Sequence, residues 1–339
     1  MKFAFVPFVV LVAGLPACSR GPAQSKDAAP APTATAVAYD LRWHIQVDSI
    51  PAGTREAVIW VALPQERQEQ RVSNLRIHSD HSYEIVSDPD FENRIARITV
   101  PNPPTRWSAD LSATVRRDAV GPRKVELTPE ERKLFLREEA LVSLSPRMRS
   151  LADSVGTDAK QRYEFVLQRM DYDKTTPGWG RGDSERACAV GKGNCTDFHS
   201  LFMSLSRAEG VPAVFEMGYS MLPAGETDKA GGYHCWAWFY DQASGSWVPV
   251  DISEADKHPE KAEYFFGHLD AERVLFSRGR DIRLPGMKGP PLNYLPAGAY
   301  VELDGRAHGA VTRTITYPAV VANGGGGAAT VLASTGSGH

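Results

Sequence analysis

The chain has 339 residues but only four cysteines, a net charge of just −3, and no nucleotide, dinucleotide or calcium signature. Each shortage removes a class of function. No P-loop, no G-x-G-x-x-G run and no EF-hand loop occurs, so no cofactor is expected. Neither C-x-x-C nor H-x-x-x-H spacing is present, and no metal site is expected either. Lys plus Arg (38) nearly balance Asp plus Glu (41) without clustering, which gives no reason to expect nucleic acid. Beyond the first residues there is no second apolar run long enough to span a bilayer. What remains, 42% hydrophobic and 23% charged residues, suits two globular domains with real cores.

The chain opens on MKFAFVPFVVLVAGLPAC: one positive charge at Lys2, an apolar stretch from Phe3 to Leu15, and a small residue at Ala17. That pattern predicts a secretory signal over 1–18 and an exported protein. Leu15-Pro16-Ala17-Cys18 resembles a bacterial lipobox, with Cys18 as the lipid-bearing residue of a membrane-anchored lipoprotein facing the periplasm or cell surface. Ordinary cleavage after Ala17 is the alternative. Residues 19–38 are rich in Ala, Pro, Thr and Ser, cannot bury a core, and read as a flexible tether.

From 39 to 120 the runs LRWHIQV, AVIWVALP, NLRIHS, RIARITV and DLSATVRR are short, β-rich and divided by Pro-, Asn- and Asp-rich turns. They predict a small antiparallel β-sandwich, with Trp43 and Trp60 as core anchors. Residues 121–157 read as a helical connector, opened by Thr128-Pro129-Glu130-Glu131 with Thr128 as N-cap. A second helix is expected from Asp158 to Met170, followed by a long aperiodic loop, DYDKTTPGWGRGDSERACAVGKG, that delivers the chain to Cys195.

The chemistry concentrates between Gly193 and Asp251. Cys195 opens an amphipathic helix whose stripe is Phe198, Leu201, Phe202 and Leu205, with Asn194 placed to cap it. A thiol at a helix N-terminus faces unpaired N–H groups and the positive dipole end, which favour the thiolate. After strand Ala213–Tyr219 and a mobile-looking loop, YHCWAWFY forms a strand with His234, Trp236 and Trp238 on one face and Cys235, Ala237 and Phe239 on the other. A turn at Asp241–Ser246 returns the chain as Trp247–Asp251, and antiparallel pairing sets Asp251 beside His234. Cys, His and Asp in this arrangement suit acyl transfer: thiolate attack, proton shuttling by imidazole, and a carboxylate that fixes the imidazole. His199, one turn beyond Cys195, reads as a packing neighbour. Cys188 and Cys235 either form a disulfide clamping the loop to the His234 strand or stay separate buried thiols.

The blocks GNCTDFHSLFMSLSRAEGVPA, GYHCWAWFY and WVPVD resemble the transglutaminase-like superfamily, over roughly 158–283, and the downstream DISEADKHPEKAEYFFGHLDAERVLFSRGRDI resembles its bacterial branch. The resemblance implies an α+β fold: a papain- or transglutaminase-like core behind the N-terminal antiparallel β-sandwich. It implies Cys195 as nucleophile, His234 as base and Asp251 as its orienting acid. The family's aromatic or amide oxyanion helper is fixed by no motif in this chain, and Trp179 in the loop before Cys195 is the candidate. The catalytic domain is expected over 158–318, ending in a hairpin of Tyr300–Gly305 and Val311–Tyr317, with a disordered tail at 319–339.

The implied activity is a cysteine acyl-transfer enzyme acting on amide bonds of proteins or peptides, cell-wall peptides among them. Release of the Cys195 thioester to water makes a peptidase or amidase, and release to an amine makes a crosslinking transglutaminase. Trp236 and Trp238 are candidate walls for a lysine tunnel, but the bacterial likeness tips the expectation towards hydrolysis. The calcium requirement of animal relatives has no support in this chain. A catalytically silent binding or scaffold module of the cell envelope is the rival reading.

Overall fold

A computed structural model describes residues 35–221, 230, 232–295, 298–317 and 319–320. The expected signal peptide, Cys18 and most of the tether lie outside them, as does most of the loop before the His234 strand. Among the described residues no helix is long and apolar enough to cross a membrane.

Six strands follow one another: β1 (Ala36–Val47), β2 (Glu56–Ala62), β3 (Gln70–His78), β4 (Tyr83–Ser87), β5 (Arg94–Pro101) and β6 (Trp107–Asp118). In β1 and β6 every second residue is buried, from Val37 to Val47 and from Trp107 to Arg117, the period-two signature of a strand with one face on a core. The two pair antiparallel along their whole length, Ala36↔Asp118 to Val47↔Trp107. The expected tether therefore ends three residues early, because Val37 is already buried against the sandwich. Trp43 and Trp60 are fully internal, as expected.

The connector is not wholly helical. It contains β7 (Arg123–Lys124), α1 (Pro129–Leu136) and α2 (Pro146–Val155). Thr128 caps α1 in a reciprocal capping box with Glu131. Next come α3 (Ala159–Arg169), capped by Asp158, β8 (Asp171–Tyr172), α4 (Ser184–Val190), β9 (Lys192–Gly193) and α5 (Cys195–Ala208). Helix α4 occupies part of the stretch expected to be structureless. Asp183 accepts from Arg186 N to start it, and Gly191 ends it in the left-handed region at φ 70°. Seven residues are too few for an apolar period to show.

Strands β10 (Ala213–Ser220), β11 (Tyr233–Asp241) and β12 (Ser246–Val250) precede α6 (Ile252–Lys257), α7 (Ala262–Phe265) and β13 (Arg273–Arg278). They form one antiparallel sheet in the order β13-β10-β11-β12-β7. Helix α5 lies on it, and every residue from Cys195 to Arg207 is buried, so it is the central helix of this half. Phe202 meets Phe239 of β11 edge to face at 5.9 Å.

The last strands, β14 (Ala299–Leu303), β15 (Arg306–Ala307), β16 (Val311–Thr316) and β17 (Ala319–Val320), do not end the catalytic half as expected. β14 pairs with β2, while β16 and β17 pair with β1, so the expected terminal hairpin is divided between the two sandwich sheets. The sheets run β16-β1-β6-β3 and β15-β14-β2-β5-β4. The reason is an edge problem: β5 and β6 cover one side of β2 and β1, and the returning chain covers the other. Residues 319 and 320 of the expected tail are strand. The rest of that tail lies outside the described residues.

The two halves are joined by polar groups as well as rings. Among the described residues, the outer edge of β13 pairs with no further strand. Gln70 instead donates to Leu275 O (2.9 Å) and accepts from Leu275 N (2.8 Å), and Asn93 does the same for Arg278 at 2.8 and 2.7 Å. Each amide replaces one rung of a missing strand, which satisfies backbone groups buried at the seam. Trp43 of the sandwich packs edge to face on Phe276 at 6.0 Å.

Candidate active site

The first turn of α5 is built around a carboxylate. Asp197 accepts from the backbone N–H of Asn194 (3.0 Å), Gly180 (2.6 Å) and Gly182 (3.0 Å). The approach requires glycine at 193, where a Cβ would collide with that carboxylate. Asn194 in turn accepts from Thr196 N at 3.0 Å and donates to the Tyr233 hydroxyl at 2.8 Å. These bonds hold Cys195 at the first helical position, where its own N–H has no partner within the helix.

His234 comes from the start of β11. The β11–β12 pairing, Asp241↔Ser246 to Ala237↔Val250, carries the chain back to Asp251, which caps α6. His234 Nε2 lies 2.6 Å from Asp251 Oδ2, and Cys195 is the other side chain that raises the ring's pKa. With Nε2 committed to Asp251, the ring presents Nδ1 to the sulfur. All three side chains sit in the interior: Cys195 is 1%, His234 4% and Asp251 0% exposed.

Burial alone would raise the Cys195 thiol, but hydrogen bonds from Cys235 and His234 and the charge of His234 hold it well below the usual thiol range. Burial likewise works against charge on His234, and the Asp251 charge and hydrogen bond, with Cys195, overcome it and push the imidazole up to about 10. Burial of Asp251 is outweighed by His234 and Arg273, so its carboxyl stays well below the ordinary range. The cluster is therefore a thiolate, an imidazolium and a carboxylate in series.

Several neighbours carry no signal in the sequence. Arg273 of β13 places Nη1 2.7 Å from Asp251 Oδ2, sharing that oxygen with His234. Its pairing with a residue twenty-two positions earlier is set by the sheet, not by local spacing. Tyr172 of β8, like Tyr233 and Tyr294, is an aromatic whose ionisation responds to the thiol: burial first, then the charges of Cys195, Cys235, Glu254 and Asp251, raise its phenol. Lys257 Nζ covers the Tyr172 ring at 4.1 Å. Trp179, the candidate aromatic, stands 38% exposed on the loop held by Asp197.

Cys188 and Cys235 are both free and buried, so the disulfide is not formed. Cys188 lies 3.8 Å from Arg147 Nη2, whereas Cys235 faces α5, with Thr196 Oγ1 at 3.6 Å and the Cys195 sulfur as hydrogen-bond partner. Trp236 and Trp238, the candidate tunnel walls, are turned into the interior. Both are fully buried and donate to the same Glu216 oxygen, at 2.6 and 2.8 Å. Arg117 of β6 and Arg123 of β7 cover their rings at 5.9 and 5.1 Å.

A central helix opening on a buried thiol, laid on an antiparallel sheet that supplies imidazole and carboxylate, defines the papain- and transglutaminase-like class of fold. Residues 142–252 match the family model of the transglutaminase-like superfamily. The chain is 34% identical over 164 residues to an uncharacterized protein of Haemophilus influenzae, a match covering 39% of this chain and 44% of that protein. It thus spans less than half the length of that relative. Among solved structures it resembles a proposed cysteine protease from Cytophaga hutchinsonii, with TM-score 0.59 and 14% identity over 86% of this chain and 93% of the other. At that coverage the shared fold takes in sandwich and core together.

Proposed function

We propose that this protein is an exported cysteine hydrolase that cleaves amide bonds of proteins or peptides through a thioester on Cys195. The observation that carries the reading is the buried Cys195–His234–Asp251 series, with His234 Nε2 2.6 Å from Asp251 Oδ2. The thiolate attacks the amide carbonyl carbon, and the carbonyl electron pair moves to oxygen. The Cys195 N–H and the Tyr172 phenol, kept protonated by its raised pKa, donate to that oxygen. His234 gives its proton to the leaving amine as the C–N bond breaks, leaving an acyl thioester and a neutral imidazole. That imidazole takes a proton from water, the resulting hydroxide attacks the thioester, and the acid leaves with the thiolate and imidazolium restored. Asp251 keeps the ring oriented through both halves.

Hydrolysis is favoured over amine transfer because Trp236 and Trp238 are committed to Glu216 and the interior, which removes the walls a lysine tunnel would use. Export and anchoring rest on the leader and on Cys18, and they make envelope proteins or cell-wall peptides the accessible amides. The test is incubation of the purified protein with peptide substrates, including a glutamine-containing one, with and without a primary amine. New acids or ammonia support hydrolysis. Amine incorporation outpacing ammonia release makes the protein a transglutaminase, and no turnover of any amide makes it a binding module.

A further inference from the structure

His199 takes no part in the proton transfers above, yet it is fully buried and makes two polar contacts at opposite corners of its ring. Its Nε2 accepts the backbone N–H of Ile252 at 3.1 Å. A nitrogen that accepts an N–H carries a lone pair, so the proton of the neutral ring is on Nδ1. That Nδ1 lies 2.7 Å from the carbonyl oxygen of Cys195, to which it donates. One imidazole thus spans from the backbone of the nucleophile to the backbone immediately after the acid.

We propose that His199 is a positioning residue, a neutral strut in the Nδ1–H form that fixes the Cys195 turn of α5 against the Asp251 turn of α6. The proposal rests on the cysteine-hydrolase reading for its importance to turnover, but not for its geometry. The strut works because it is uncharged. Asp251 Oδ1 lies 3.9 Å from Nε2 and is already taken by Ser253 Oγ and Glu254 N, both at 3.1 Å. A proton on Nε2 would oppose the Ile252 N–H and turn the ring towards Asp251, in competition with His234. The titratable groups facing the ring are Asp251 from the β12–α6 junction, Cys195 on its own helix, and His234 and Cys235 from β11, the last with its sulfur 4.0 Å from Nδ1. Burial dominates their sum and lowers the His199 pKa, in keeping with a neutral ring.

The tautomer can be read directly in the native protein. With 15N-labelled histidine, long-range 1H–15N spectra at pH 7 should show His199 neutral with its proton on Nδ1, assigned by its loss in His199→Gln. A ring protonated on Nε2, or on both nitrogens, overturns the proposal. The consequence is read by iodoacetamide alkylation of Cys195 across pH, which needs no substrate and so stands apart from failure of the hydrolase reading. His199→Phe keeps the ring shape and removes both bonds. It should slow alkylation at pH 7 roughly tenfold and move its midpoint towards an ordinary thiol, with partial recovery in His199→Gln. A Phe variant with the native midpoint, even if less heat-stable, shows a packing residue and overturns the strut. Should the Phe variant fail to fold, Ile252→Pro removes the donor at the first helical position, where proline is tolerated, and should move the same midpoint. An unmoved midpoint there counts against the proposal equally.

Discussion

The surroundings of His234 and of His199 differ by little in distance and by much in effect. Both rings are buried beside Cys195 and both face Asp251, at 2.6 Å for His234 and 3.9 Å for His199. His234 meets a carboxylate oxygen on one nitrogen and the thiol on the other, and it is pushed up to about 10. His199 meets a backbone N–H and a backbone carbonyl, and burial takes its pKa below 6.5. Charge on a buried imidazole is decided by whether its partners can carry a countercharge, not by depth. A carboxylate bonded to the ring repays desolvation, and peptide groups do not.

The strongest way to break this contrast is to remove the sulfur that His234 serves and His199 does not bond. Cys195→Ala should cut turnover by on the order of 10⁴-fold or more while the protein stays folded, measured as peptide cleavage beside thermal melting. Asp251→Asn comes next. It should lower turnover by about 10³- to 10⁴-fold, and the His234 titration should fall from about 10, so that the two rings become alike. An unchanged His234 titration there would mean that the carboxylate is not what charges the ring.

Tyr172→Phe leaves both rings in place and removes a proposed oxyanion donor. Its kcat should fall by about 10²-fold, whereas Trp179→Phe should stay within a few-fold of the parent. Equal losses in the two variants would return the role to the loop.

A smaller effect lies in the pH dependence of stability. In the folded state the Cys195–His234 pair holds one proton, on His234. The unfolded chain, with ordinary values of 6.5 for His and 9.0 for Cys, also holds one proton between those limits. The pair's contribution should therefore be flat from about pH 6.5 to 9. Below 6.5 the unfolded chain binds one more proton than the folded pair, and stability falls with falling pH. Above 9 it binds one fewer, and stability falls as pH rises towards about 10. In Cys195→Ala the thiol half is gone, the raised His234 acts alone, and stability should decline with rising pH from 6.5. Denaturant midpoints taken across this range check the sign. Least of all, Cys18→Ser should leave cleavage rates unchanged and move the protein from the membrane to the soluble fraction. Retention on membranes would remove lipidation as the anchor.

What was legible in the sequence is what local spacing encodes. Helix α5 with its Asn194 cap and the β11 turn to β12 follow from apolar period, cap residue and hairpin spacing, and they bring Cys195, His234 and Asp251 together. The period of two in β1 and β6 likewise gave a sandwich. Illegible were contacts fixed by strand order. Arg273 reaches Asp251 across the sheet, and Tyr172 is set beside Gly193, two residues before Cys195, because β8 pairs with β9, two residues against two. The fate of Val311–Thr316 was missed for the same reason, since its alternating pattern states that it pairs but not with which strand.

That pairing bears on the order in which the protein can be made. β1 is among the first residues to form structure, and its partner β16 lies some two hundred and seventy positions later, with the whole catalytic half between them. As the chain emerges from N- to C-terminus, the outer sides of β1 and β2 stay bare until β14 to β17 arrive, so the sandwich is closed only after the catalytic half has been made. A chain cut short after β13 would retain Cys195, His234, Asp251 and Arg273, yet present two unpaired apolar strand edges to its neighbours. The final strands thus work as a completion check, because a truncated chain with all of its chemistry is the form most exposed to aggregation and to cellular proteases.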